Sequence, residues 1–512
     1  MKALFVDCLN TRKKESWREA IPIAPRRVCG ILEKIGVDFE FMHFYEFKRK
    51  RKECRKFNLL LVSGMRIDLN NVRAVSKIWS KYSAGYKIIG GPIATDFNVC
   101  FRNGFDFAII GEGEIALQQL FRINFDMHKL RDVPNLVFKK DSRIFFSERR
   151  FCKVKEIIEI NNYNQVVRKY PLYFASKVYV EVVRGCSNFL RPKIGNCIKC
   201  GNCESEDLKK RLFCPVGIPP GCGYCSVPSF FGPARSLPAS YIVEEVKELI
   251  KIGVRRIFLE APDFLDYGRE QLATPLTNPK EPPANLKAIK KLLSSLFKLK
   301  EVKDRKASIN VENIKANLLT EDVADLLGSY LRGTSLNLGC ETGSEKHCKK
   351  IGRPFGPKDV LKAIKLLRKN GIFCGVYFIY GLPFQSRETV FQTISMIKKC
   401  VEAGAEKIHI YKFLPLKGTA FENFRAGNPK EKLNKLLIEF VNEINFQLKK
   451  KLVGCKLPYI IAQKIKKNRY FAYPLKRGPN VIAKGKFRVG SIVLLKLLKA
   501  LGPNLMLAKA KK

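Results

Sequence analysis

Seven of the seventeen cysteines fall between positions 186 and 225. The segment reads VEVVRGCSNFLRPKIGNCIKCGNCESEDLKKRLFCPVGIPPGCGYCSVP. Cys222 and Cys225 form a C-x2-C pair in a Gly- and Pro-rich loop, a spacing that brings two thiolates to one soft metal centre. Thiols at this density call for a metal. A disulfide framework is not expected. The opening stretch MKALFVD reads as a buried strand and not as a leader, so the chain is expected in the reducing cytoplasm. The other ten cysteines are scattered and read as small buried hydrophobes. The four histidines, His43, His128, His347 and His409, do not cluster, which argues against a histidine base or a histidine-rich metal site.

The elements that position this loop can be read on either side of it. Residues 1–125 alternate apolar strands (KALFVD, NLLLVSG, YKIIGG, DFAIIGEGE) with helices, the pattern of a doubly wound parallel sheet. Gly90-Gly91-Pro92 and Gly111-Glu112-Gly113-Glu114 fall at its carboxyl edge, where such sheets bind ligands. Residues 126–176 read as a linker with a short hairpin. Residues 177–428 hold about six further strand–helix units, which predicts a partial (β/α)6 barrel with its site at the carboxyl ends of the strands. The Cys-rich insertion 186–225 sits just after the first of these strands. A polar helix is expected over 429–451, and a small β-barrel with its own core over 452–512. Overall the class is α/β. No run of about 18 uncharged apolar residues suggests a transmembrane helix.

The seven cysteines divide as three plus four. Three thiolates on a [4Fe-4S] cluster leave one iron open to a small molecule, whereas four close it. In one arrangement Cys186 joins Cys222 and Cys225, and Cys197, Cys200, Cys203 and Cys214 form a second site. In the other, Cys214 joins the open cluster and Cys186 completes the second. The second site, C-x2-C-x2-C followed by Cys-Pro, is similar to a ferredoxin run and predicts a second [4Fe-4S] cluster. Structural zinc in a four-cysteine knuckle is the alternative.

The cysteine block, together with GCETGS (Gly339 to Ser344), IGRPFGPKDVLKAIKLLRKNGI and VYFIYGLP (Val376 to Pro383), resembles the radical S-adenosylmethionine (SAM) superfamily over roughly 178–425. The usual spacing there is C-x3-C-x2-C, from which this chain departs; the resemblance implies the first arrangement, because the superfamily starts its loop after the first strand, where Cys186 stands. The resemblance implies SAM chelated at the open iron and cleaved by one electron to a 5′-deoxyadenosyl radical. It also implies a ferredoxin- or flavodoxin-type electron donor. By position in the superfamily, Glu260, Ser308, Asn310, Glu312 and Glu341 would hold SAM, with Tyr224 offering backbone to adenine. Each could instead be an ordinary polar residue at a strand end. The N-terminal IIGGP and DFAIIGEGE resemble a cobalamin-binding domain. Yet the stretch Asp7-Cys8-Leu9-Asn10-Thr11 lacks the histidine of the D-x-H-x-x-G fingerprint, so cobalamin stands beside a relic domain used for substrate.

Lys plus Arg is 95 against 47 for Asp plus Glu, a formal charge of +48. Such an excess points to a polyanion, nucleic acid first; a Lys-rich thermophile proteome is the competing explanation. The tail carries 18 Lys or Arg from Lys449 onward and no Asp or Glu after Glu443. It resembles a TRAM domain, the small RNA-binding barrel of radical methylthiotransferases. That likeness implies phosphate contacts from Lys476, Arg477, Lys484, Lys486 and Arg488, and base stacking on Tyr470, Phe471 and Tyr473. The expected function is a radical SAM transferase that methylates or methylthiolates RNA, tRNA foremost. A lipid or small metabolite as substrate is the second reading, and a non-catalytic iron–sulfur RNA-binding protein the third. The oligomeric state is not legible.

Overall fold

A computed structural model describes residues 1–9, 20–141 and 143–510. The chain divides into two compact units, Met1–Tyr173 and Phe174–Lys512.

The first unit is a seven-stranded sheet. In chain order its main elements are β1 (Lys2–Asp7), α1 (Ala24–Lys34), β2 (Asp38–His43), β3 (Leu59–Ser63), α2 (Leu69–Tyr82), β4 (Tyr86–Gly90), β5 (Phe107–Ile109), α3 (Glu114–Arg122), β6 (Leu136–Lys140) and β7 (Arg143–Phe146). The spatial order is β2-β1-β3-β4-β5-β6-β7, parallel through β5. β1 and β3 are almost wholly buried because helices cover both faces, which is why they read as unbroken apolar runs. The stretch expected to be a linker belongs to this unit. Its hairpin, β6 and β7, extends the sheet antiparallel from β5, with Phe138 opposite Phe107. Burial of Leu136, Val137 and Phe138 holds it there.

The second unit opens with β8 (Lys177–Glu181), α4 (Ala239–Lys251), β9 (Arg256–Glu260), α5 (Leu286–Phe297), β10 (Ser308–Val311), β11 (Asn313–Ile314), α6 (Glu321–Leu331), β12 (Ser335–Glu341), α7 (Pro357–Lys369), β13 (Phe373–Tyr380), α8 (Arg387–Glu402) and β14 (Lys407–Lys412). β8, β9 and β10 pair in parallel, as do β11 to β14. Glu312 joins the two sheets. Its N–H donates to Leu259 O at 3.2 Å, and its carbonyl accepts from Asn337 N at 2.8 Å. The result is a six-strand partial barrel with amphipathic helices outside. In α4, Ile242, Val246 and Leu249 form the buried stripe.

After α9 (Lys432–Lys450) the chain forms β15 (Lys456–Lys466), β16 (Arg469–Pro474), β17 (Asn480–Lys484), β18 (Ile492–Gly502) and β19 (Leu505–Ala510). These close into a barrel in the order β15-β16-β17-β19-β18, around Leu457, Tyr459, Ile461, Val481, Leu495 and Met506. The barrel is not an independent module. It caps the amino ends of the partial-barrel strands. Ser308 Oγ donates to Leu475 O at 2.7 Å, Arg256 lies 5.6 Å from the Tyr473 ring, and Arg477 binds Glu406 at 3.0 Å while stacking 3.4 Å from the Phe373 ring. Tyr470, Phe471 and Tyr473, expected to stack on bases, are buried instead. Tyr470 is in the barrel core. Arg477 is committed to this contact and Lys476 is half-buried, whereas Lys484, Lys486 and Arg488 are exposed.

Candidate active site

The cysteine loop leaves β8 and is pinned where it starts. Val183 and Arg184 pair with Ser236 and Arg235 as an antiparallel clip, and Cys186 N–H donates to Gly232 O at 3.1 Å. Ser187 sits on a buried ion network. Its N–H donates to Asp266 Oδ2 at 3.2 Å and its hydroxyl accepts from Lys315 Nζ at 3.0 Å. Asp266 also binds Arg269 and Lys315. Burial opposes the charge of Asp266, but Lys315 and Arg269 outweigh it and hold the carboxyl below its ordinary range.

Asn188 then ties the two halves of the loop together. Its N–H reaches Cys186 Sγ at 3.4 Å, and its side-chain Nδ2 reaches Cys222 Sγ at 3.3 Å and Gly352 O at 3.1 Å. Gly223 is clamped on both sides, donating to Ile351 O at 2.8 Å and accepting from Phe421 N at 2.9 Å. A Cβ there would lie 2.5 Å from the Phe421 ring, so the position requires glycine. Burial pushes the Cys225 thiol up to about 12, and the proximity of Cys222 and Cys186 adds to the shift. Three thiols that would repel one another as thiolates match a polynuclear centre, whose irons supply the compensating charge. Among the described residues, no three Cys, His, Asp or Glu side chains converge tightly enough for a single ion.

Cys197, Cys200, Cys203 and Cys214 all line one separate cavity of about 110 Å³. Buried Arg191 organises it, with Nη1 3.4 Å from Cys203 Sγ and further bonds to the carbonyls of Ile218 and Arg211. Four of the cysteines thus line one cavity, while Asn188 reaches the sulfurs of both Cys186 and Cys222.

Three of the expected SAM residues and Tyr224 surround the mouth. The Tyr224 hydroxyl accepts from Arg353 Nη1 at 2.6 Å; the same nitrogen binds Glu341 at 3.2 Å, and Nη2 binds Gly339 O at 2.7 Å. Glu341 closes β12 with φ +67°, an unusual left-handed conformation. Burial raises its carboxyl, with Arg353 and Tyr224 pulling against that. Glu260 ends β9; burial, then Glu312 and Glu181, push its carboxyl up to about 8. Glu312 Oε1 accepts from Asn337 at 3.3 Å, while its buried Oε2 has no hydrogen-bond partner among the described residues. Asn310, deeper in β10, likewise keeps a buried Oδ1 without one. Orphaned acceptors on the barrel axis match a ligand rich in N–H and O–H donors, as SAM is. Ser308 is different. It begins β10, at the closed end, and its hydroxyl is used by Leu475. Sequence reasoning passed over Asn188, Arg353 and the Asp266–Lys315 pair. Arg353 lies inside the quoted IGRPFG run, but nothing in one dimension shows it beside Tyr224.

In the first unit, Asp7 ends β1 and is consumed internally, accepting from Leu9 N at 3.1 Å and from Tyr170 Oη at 2.5 Å. Asn10 and Thr11 lie outside the described residues. The adjacent strand ends in His43, buried and held neutral by burial, stacked 6.3 Å from Tyr170.

A parallel partial barrel with a cysteine-rich loop at its carboxyl mouth is the architecture of a radical SAM enzyme, and residues 213–397 match the family model described as Radical SAM superfamily. The chain belongs to this superfamily. It is 39% identical to an uncharacterized protein of Methanocaldococcus jannaschii, over 98% of this chain and 97% of that one. A ribosomal-protein methylthiotransferase of Carboxydothermus hydrogenoformans is 24% identical over 57% of this chain and 64% of its own length. Among solved structures, the radical SAM methyltransferase TsrM of Kitasatospora setae, with cobalamin and a [4Fe-4S] cluster bound, superposes with a TM-score of 0.60 at 13% identity, covering 82% of this chain and 76% of that one. No helix among the described residues is long and apolar enough to cross a membrane.

Proposed function

We propose that this radical SAM transferase modifies RNA, with tRNA as substrate, by methylation or methylthiolation in the cytoplasm. The observation that carries the reading is the closed C-terminal barrel, free of acidic residues and fixed to the partial barrel by Arg477 and Ser308. A basic surface held rigidly on the reaction chamber orients a polyanion toward it.

In this reading Cys186, Cys222 and Cys225 hold the open [4Fe-4S] cluster, which when bound supplies one electron to the sulfonium of SAM. Asn188 donates hydrogen bonds to two of the ligating sulfurs. Glu260, Asn310, Glu312 and Glu341 accept from the amino and hydroxyl groups of SAM, and Arg353 fixes Glu341 and Tyr224. Cys197, Cys200, Cys203 and Cys214 hold a second cluster with no open iron. Such a centre passes electrons from a ferredoxin- or flavodoxin-type donor more readily than it holds a sulfur donor, which favours methylation over methylthiolation.

Cobalamin in the first unit is favoured by one observation, the likeness in fold to TsrM, solved with cobalamin bound, and would bring a metabolite substrate into contention. No imidazole stands at the fingerprint position, so a bound cobalamin would lack that protein ligand. Mass spectrometry of tRNA nucleosides from a deletion strain tests the main reading. Loss of one modified nucleoside, restored by the wild-type gene, is the expected result. An unchanged nucleoside profile moves the assignment to the metabolite.

A further inference from the structure

The hydrogen-bond register of the C-terminal barrel arranges its cations in a continuous path. Lys466 on β15 faces Arg469 on β16, and Arg469 faces Lys484 on β17. Lys484 faces Lys509 on β19, Lys509 faces Lys496 on β18, and Lys496 faces Lys456 on β15. The path returns to the strand it left, ten residues earlier, so it winds once around the barrel as an oblique stripe. All six side chains are exposed. Their neighbours in sequence, such as Leu457, Tyr470, Ala483, Leu495 and Ala508, point into the core.

Residues directly opposite in a sheet project from the same face at about 5 Å, and like charges there destabilise it. Five such pairs in succession need a reason. Lysines that guard an open sheet edge do not supply it, because this sheet is closed. Solubility does not supply it either, since soluble surfaces intersperse both signs. A linear polyanion lying along the stripe does.

Resting on the RNA reading above, we propose that Lys456, Lys496, Lys509, Lys484, Arg469 and Lys466 form a phosphate track along which a single-stranded segment of the RNA substrate wraps the barrel. With strands about 4.8 Å apart the track is about 24 Å long. It accommodates on the order of five nucleotides. The contact reads backbone and not bases, because the tail aromatics Tyr470, Phe471 and Tyr473 are buried. A flat anionic membrane fits less well, as it reaches only part of a stripe that encircles the barrel.

The test measures binding of the full-length chain to a labelled single-stranded RNA oligonucleotide and to bulk tRNA over a range of salt. One variant combines Arg469→Ala, Lys484→Ala and Lys509→Ala. The control combines Lys287→Ala, Lys290→Ala and Lys291→Ala on α5, removing equal charge from exposed positions elsewhere. The track variant is expected to bind about tenfold or more weakly at low salt, with a salt slope shallower by about two, since each single-strand phosphate contact contributes about 0.7. Oligonucleotides of different sequence should lose affinity alike, and the thermal melt should hold or rise. Equal loss in both variants overturns the proposal, because net charge alone would then act. So does a track variant that keeps RNA affinity while losing binding to phosphatidylserine vesicles. Wild-type protein that binds no tRNA removes the RNA reading itself. Wild-type binding with an unaffected track variant removes only the track.

Discussion

Asn188 lies with its side-chain nitrogen 3.3 Å from the sulfur of Cys222, across 34 positions of sequence. The same residue offers its backbone N–H to Cys186. One asparagine therefore bridges two of the sulfurs proposed to bind the cluster. Hydrogen bonds to sulfur favour the more negative, reduced state of a cluster. Asn188→Ala should lower the reduction potential of the reconstituted protein, read as a more negative midpoint in an electron paramagnetic resonance titration. An unchanged midpoint would remove Asn188 from the ligand environment.

The partition of the seven cysteines has a direct check. Anaerobically reconstituted wild type should hold about seven to eight irons. Cys186→Ala, Cys222→Ala and Cys225→Ala should each abolish reductive cleavage of SAM, with no 5′-deoxyadenosine detected by chromatography. Cys214→Ala should lower the iron content but keep cleavage. Cleavage lost in Cys214→Ala and kept in Cys186→Ala would reverse the assignment.

Gly223 is pressed against Phe421. Gly223→Ala should displace the C-G-Y-C turn, costing about 1–3 kcal/mol of overpacking. Iron retention and the melting temperature should both fall. The pair Gly223→Ala with Phe421→Leu should recover part of the iron, which a purely conformational effect at Gly223 would not produce.

Glu260 gives the apoprotein a pH signature. Its carboxyl titrates at about 8 in the fold, pushed there by burial and then by Glu312 and Glu181, against an ordinary 4.5. The folded state holds the proton more tightly, so between about pH 4.5 and 8 it binds more protons than the unfolded chain. Stability contributed by this group is therefore full below the lower value and is lost as pH rises through the upper one. Melting temperature should decline across that window, and Glu260→Gln should flatten the decline. A Glu260→Gln profile parallel to wild type would show that the carboxyl is ionised throughout.

Much of this was written in one dimension. The six strand–helix units were legible because parallel strands depend on local pattern, and the cysteine block with the IGRPFG and GCETGS runs carried the resemblance to the radical SAM superfamily although its cysteine spacing departs from the usual one. The same alternation found four of the strands in the first unit but passed over β2, whose DFEFMH run alternates acidic and apolar residues. The hairpin β6–β7 was legible, but its membership of the sheet was not, because its pairing partner, β5, lies outside its own stretch.

The tertiary structure alone decided three matters. It set Asn188 between the sulfurs of Cys186 and Cys222 and lined one cavity with four other cysteines, contacts that spacing cannot show since loops fold back freely. It turned Ser308 toward the closed end and Tyr473 into an interface, because strand direction and barrel docking are set by distant partners. It also ordered the tail cations into a stripe. Composition counts charges, but only strand register says which of them stand side by side.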